Sequence, residues 1–179
     1  MQETIAGNGA VIDAIAPLCT GVNAVRHNSD TFGNGYHWFR LDDPKSMTKA
    51  AEPLAKAGAR LCMASAYNRR QPADPRQEIC YHFELDGAVY NITAPLADEG
   101  ASVPSITAFF ANADWHEREM MELYGVKVSD QPNPRRLFLD ERKDKGLLDG
   151  AVPLSVMMNG ACSKDLWEHI LKDKESDKA

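Results

Sequence analysis

Glu78-Ile-Cys-Tyr-His-Phe-Glu-Leu85, followed by Asp86-Gly87 and Ala88-Val-Tyr-Asn-Ile-Thr-Ala94, decides the fold class. Ile79, Tyr81, Phe83 and Leu85 alternate with Glu78, Cys80, His82 and Glu84, the period-two pattern of a strand with one buried face. Asp-Gly is the dipeptide that a two-residue type I′ hairpin prefers, because both turn residues need positive φ. Such a turn sets Leu85 opposite Ala88, Phe83 opposite Tyr90, Tyr81 opposite Ile92 and Ile79 opposite Ala94. Every pair on that face is apolar, so alternation and turn chemistry independently specify the same antiparallel hairpin.

Upstream, Val11 to Leu18 is apolar enough for a short helix ended near Pro17 and Gly21. Asp30 to Gly35 is rich in turn residues and leads into an aromatic strand, Tyr36 to Leu41. Asp43 and Pro44 suit an N-cap and a first helical position, and Met47, Ala50, Ala51 and Leu54 recur at helical spacing up to Gly58. Pro53 is expected to kink or split that helix. Ala59 to Tyr67 reads as a further strand, and Asn68 to Arg76 as a loop. After Gly100 and Pro104, a helical region is expected to begin at Ser105 to Phe110 and to continue, with a possible break, through Asp114 to Tyr124. The order predicts an α+β fold, a largely antiparallel sheet with helices packed on one face. Residues 1–126 form the expected core domain and 127–179 an extended arm and tail, because prolines, glycines and charges replace periodicity from Lys127 onward. Within that arm Lys164 to Leu171 can form a short helix, and Lys172 to Ala179 is expected to be disordered.

A chain of 179 residues fits one domain plus extensions. Its hydrophobic fraction of 44% and charged fraction of 26% are those of an ordinary globular protein, which argues against disorder and membrane integration. A net charge of -6 argues against a protein held mainly by nucleic-acid phosphates. Apolar runs such as Ala14 to Cys19 and Ser105 to Phe110 are far too short to span a bilayer, and the N-terminus lacks a secretory pattern. Membrane association is therefore expected only through partners. Cys19, Cys62, Cys80 and Cys162 are scattered, without the spacing of a zinc or iron–sulfur site, and read as reduced, core-forming thiols of a cytosolic protein.

Asp114-Trp-His-Glu-Arg-Glu-Met-Met-Glu-Leu-Tyr-Gly125 forms one self-contained helix of about three turns. Asp114 and Glu117 have capping-box spacing, and Gly125 suits the left-handed residue that ends a helix. On the helical wheel Met120, Met121, Leu123 and Tyr124 form the apolar side, with Glu117 inside it. Arg118, Glu119, Glu122 and Trp115 occupy the other side, where an aromatic among charges often marks a contact surface. A buried carboxylate needs a donor, and Arg135-Arg136 is the nearest dense positive charge in sequence. At least one of these arginines is expected to pair with a carboxylate of the Glu117 to Glu122 helix; the alternative is that Glu117 only caps it.

Pro104-Ser-Ile-Thr, Ala113-Asp-Trp-His-Glu-Arg-Glu, Leu123-Tyr-Gly-Val and Gln131-Pro-Asn-Pro-Arg-Arg-Leu, in this order, resemble the signature of the 30 kDa subunit family of complex I, the NADH:quinone oxidoreductase. Glu117, Arg118, Glu119, Gly125, Pro132, Arg135 and Arg136 stand on the family's positions, with Trp115 beside them. The resemblance implies a non-catalytic subunit without flavin, metal or iron–sulfur centre. It would pack on a [NiFe]-hydrogenase-like large subunit and beside a small iron–sulfur subunit, at the cytoplasmic inner face of the cell membrane. Glu122 stands where the family usually has Asp, Val128 where Phe is usual and Gln131 where His commonly precedes the proline. The Arg-Lys-Asp-Phe-Pro run of respiratory members is missing, although Arg142-Lys-Asp144 echoes it. These departures point towards the energy-converting hydrogenase branch.

Two other functions compete. Glu117, Glu119, His116 and Glu122 could supply acid/base groups, but Glu117 and Glu119 point to nearly opposite sides of one helix rather than into a shared pocket. An RNA-binding sheet could use Arg69, Arg70 and Arg76, but the hairpin's polar face offers Glu78, His82 and Glu84 where base-stacking aromatics would be needed.

Overall fold

A computed structural model describes residues 7–68, 77–96, 101–139 and 146. The chain runs α1 (Gly9–Ile15), β1 (Val25–Ser29), β2 (Gly35–Arg40), α2 (Met47–Lys56), β3 (Arg60–Asn68), β4 (Gln77–Leu85), β5 (Ala88–Leu96), β6 (Ser102–Pro104), α3 (Ala113–Leu123) and β7 (Lys127–Ser129). Short 3₁₀ turns extend α1 at Ala16–Leu18 and precede α2 at Pro44–Ser46.

The expected hairpin is present in the expected register. Leu85 pairs with Ala88, Phe83 with Tyr90, Tyr81 with Ile92 and Ile79 with Ala94. Asp86 and Gly87 both take positive φ, 53° and 77°, as the type I′ turn demands. All eight paired side chains belong to the buried core. The main sheet is ordered β1-β2-β5-β4-β3, antiparallel except for the β2–β5 pair. That parallel pair follows from the crossover through α2: the chain passes from β2 to the far edge at β3, then meanders back until β5 meets β2. Val11, Ile15, Met47, Ala50, Leu54, Ile106, Phe110 and Met120 join the apolar sheet face in one core, so the helices share one side.

Three local expectations fail for identifiable reasons. α2 runs unbroken through Pro53, because Met47, Ala50, Ala51 and Leu54 anchor it, and Lys49, whose carbonyl loses its partner, is exposed. Residues 105–112 form turns rather than a helix: the Ile106 N–H donates to the Glu117 carboxylate, and Ile106 and Phe110 anchor the turns in the core. Cys62 is exposed beside the bulge between Leu61 and Met63. Cys19 and Cys80 are buried, and burial pushes both thiols up to about 11. β1, β6 and β7 were not expected at all. The expected loop after Asn68 and the helix at Lys164 to Leu171 lie outside the described residues, as does most of the arm.

Candidate functional site: the motif helix and the segment across it

α3 begins at Ala113, with Asn112 as its N-cap and no side-chain capping bond. The anticipated capping box does not form: Asp114 lies inside the first turn and Glu117 reaches away from the helix N-terminus. Gly125, at φ 68°, ends the helix in the left-handed region, and the Val126 N–H beyond it donates to the Met120 carbonyl. β7 then pairs in parallel with β6, and Asp130, at φ 58°, starts the chain's return across α3.

Glu117 is fully buried (0% exposed). Oε2 accepts from Ser105 Oγ at 2.7 Å and from Gln131 Nε2 at 2.9 Å. Oε1 accepts from the Ile106 N–H at 2.8 Å and, weakly, from the Tyr81 hydroxyl at 3.4 Å. Each donor is neutral. Burial dominates and raises the Glu117 pKa above the usual glutamate value, despite the Ile106, Ser105 and Tyr81 bonds; the Asp114 charge adds to the rise. Tyr81 is pushed well above its ordinary value by the same burial and by Glu117.

The expected arginine partnership falls on Glu122 rather than on Glu117. Glu122, placed by the wheel on the outer side, is only 1% exposed because residues 137–139 cross over it. Its carboxylate accepts the N–H groups of Leu137 (3.3 Å), Phe138 (2.9 Å) and Leu139 (3.0 Å). Burial would raise this carboxyl, but the three amides and the nearby Arg136 charge hold it below the usual glutamate value. Arg136 therefore acts on Glu122, not on Glu117.

Arg118 completes the clamp. Nε donates to the Arg135 carbonyl at 2.9 Å, Nη2 to the Arg136 carbonyl at 2.6 Å, and Nη1 meets Asp114 Oδ2 at 3.4 Å. Arg118 thus holds two carbonyls, and Glu122, one turn on, holds the next three amides. Gln131 Oε1 accepts the Asn133 N–H at 3.0 Å, and Asn133 Oδ1 accepts from Arg135 Nε at 2.7 Å. The Gly146 N–H donates to the Glu122 carbonyl at 2.8 Å, satisfying a helix-end acceptor.

The motif residues therefore have different fates. Glu117 and Arg118 are committed to this chain's own atoms, Glu119 is half-buried, and Gly125 shapes the helix end. Pro132 and Arg135 are exposed, Arg136 is half-buried, and Trp115 stands 62% exposed. The helix does not bring Glu117, Glu119 and His116 together, as their spacing around it requires. Sequence reasoning missed Ser105, Tyr81, Gln131 and the burial of Glu122. Tyr81 carried a usable signal: a tyrosine on the core face needs a partner for its hydroxyl.

No group of three or more His, Cys, Asp or Glu residues among the described residues could hold a metal ion. Nor does any helix among them have the length and apolarity to cross a membrane.

The sequence profile of the family described as "Respiratory-chain NADH dehydrogenase, 30 Kd subunit" matches residues 42–157. An NADH-quinone oxidoreductase subunit of Mesorhizobium japonicum is 44% identical over 73 residues, covering 38% of this chain and 35% of the relative. The chain is thus matched over about a third of that relative's length. Among solved structures, the trypsin-resistant fragment of Nqo5 aligns with a TM-score of 0.51 at 18% identity, over 69% of this chain and 96% of the fragment. A chain of the membrane-bound sulfane sulfur reductase, an archaeal respiratory membrane complex, aligns with a TM-score of 0.54 at 12% identity, over 74% of this chain and 75% of that one. At these identities the two structures show a shared fold.

Proposed function

Since the chain belongs to the family of the respiratory-chain NADH dehydrogenase 30 kDa subunit, we propose that it serves as a non-catalytic, cofactor-free subunit in the peripheral arm of a membrane-bound redox complex. In this reading it docks on a [NiFe]-hydrogenase-like large subunit beside a small iron–sulfur subunit, on the cytoplasmic face, and meets the membrane only through other subunits. Of the arm from residue 127 onward, residues 127–139 lie against this chain's own β6 and α3, and the remainder packs on the partner. The departures at Glu122, Val128 and Gln131 favour the energy-converting hydrogenase branch over the quinone-reducing one. Trp115, Pro132 and Arg135 are the contact residues, while Glu117, Arg118, Glu119, Gly125 and Arg136 shape the surface that carries them.

One observation carries the reading. Glu117, Arg118 and Glu122, the groups a catalyst would turn towards a substrate, are consumed in holding the chain's own backbone. An aromatic side chain on the same helix is left facing outward. Isolation of the tagged full chain from membranes of its source in mild detergent tests the proposal. Recovery in fixed ratio with iron–sulfur-bearing subunits is expected; recovery alone, with activity of its own, would overturn it.

A further inference from the structure

Residues 132–138 present an unusual combination of immobilised backbone and uncovered side chains. An irregular segment usually leaves its peptide groups to water, yet here α3 holds them individually. Arg118 takes the carbonyls of Arg135 and Arg136, Glu122 takes the amides of Leu137, Phe138 and Leu139, and Gln131, itself bound to Glu117, takes the amide of Asn133. With the peptide groups turned to the helix, several side chains face outward. Phe138 is 59% exposed, and Pro132, Pro134 and Arg135 are exposed. Among the described residues the guanidinium of Arg135 bonds only to the neutral Asn133 side chain, so its charge is available to a partner. Trp115 lies seven residues before Glu122, on the same stripe of α3. The crossing segment therefore covers the stripe at Glu122 and leaves it bare at Trp115.

We propose that residues 132–138 are a pre-organised docking ridge for a protein subunit that offers a carboxylate to Arg135 and an apolar pocket to Phe138, with Trp115 at the margin of the contact. The inference rests on the subunit reading above and adds to it the recognising residues and the partner's chemistry. Aromatic and arginine side chains dominate the energy of protein interfaces, and a backbone already held in place loses little entropy on binding. An arginine with no carboxylate partner among the described residues selects an acidic site. A positively charged or purely apolar surface would leave that ion unpaired as it loses water.

The test uses the full chain in its own host. A photoreactive benzoylphenylalanine is placed at position 138 and, as a control, at the exposed position 52 of α2, and isolated membranes are irradiated. Position 138 should link to another subunit, through a peptide containing Asp or Glu, while position 52 should not. Arg135→Glu should reduce retention of the chain in the complex by about tenfold, as loss of a central interface contact does, and Arg135→Lys should restore part of it. Melting of the isolated Arg135→Glu chain should change little, since the Arg135 carbonyl held by Arg118 is untouched and only the exposed bond to Asn133 is lost. If the wild-type chain is retained but position 138 links only within its own chain or to a second copy, or Arg135→Glu is retained normally, the ridge fails alone. Failure of the wild-type chain to associate with any subunit would overturn both readings.

Discussion

Glu117 and Glu122 lie on one helix, both sealed from solvent, and are stabilised in opposite ways. Glu117 faces the core, and its partners are the neutral Ser105, Gln131 and Tyr81 side chains and one backbone N–H. Burial outweighs these donors, so its proton is held more tightly than in a free glutamate. Glu122 faces away from the core under a strap of its own chain, where three amides and the Arg136 charge outweigh burial. A carboxylate's fate inside a protein thus depends on the donors that surround it as well as on exposure. The consequence here is a division of labour: Glu117 joins the 105–107 turn, β4 and Gln131 to α3, while Glu122 and Arg118 pin the segment that reaches the surface.

The comparison can be broken first at Glu117. Replacement by Leu keeps the volume but strands Ser105, the Ile106 amide and Gln131, and should cost about 3 kcal/mol in denaturant unfolding, since buried orphaned donors are expensive. Glu122→Ala should cost less, about 1–2 kcal/mol, because water can reach the released amides at this partly exposed strap. Amide exchange at Leu137 to Leu139 should accelerate, while the β4–β5 hairpin keeps its protection. Acidity separates the two residues by sign. Glu117 binds its proton more tightly when folded, so its contribution is present below the unfolded pKa and declines as pH rises through the raised folded value. Glu122 behaves oppositely: its contribution is present above the unfolded pKa and is lost as pH falls through the lowered folded value. The stability deficit of Glu117→Gln should therefore shrink from acid to neutral pH, and that of Glu122→Gln should grow. Parallel pH profiles would show that the two sites are alike. The smallest effect is expected for Glu119→Ala, within about 0.5 kcal/mol, because the half-buried Glu119 has no hydrogen-bond partner among the described residues.

Legibility in the sequence follows the range of the interactions. The hairpin could be read to single-residue register because alternation and the Asp86-Gly87 turn are both local. Burial of Glu117 was also legible, since it requires only helical periodicity. Its partners were not: Ser105 and Gln131 approach from either side of the chain, through β6 and β7, and three-residue strands are too short to show alternation. Glu122 was misplaced for a related reason. A wheel assigns faces against one core, whereas α3 is covered on two sides. The expected split at Pro53 failed because tertiary anchoring outweighs one lost helical bond.

Glu117 and Glu122 hold this chain's own backbone, and we propose that they act as clamps and take no part in the chemistry. Glu117→Gln preserves the shape of the side chain, so the decisive measurement is the turnover of the isolated complex, with its own electron donor, per copy of complex assembled. Glu117 is enclosed by this chain's own donors, so fewer complexes should assemble while each works at the wild-type rate. Normal assembly with collapsed turnover would contradict the account and make Glu117 part of the reaction path.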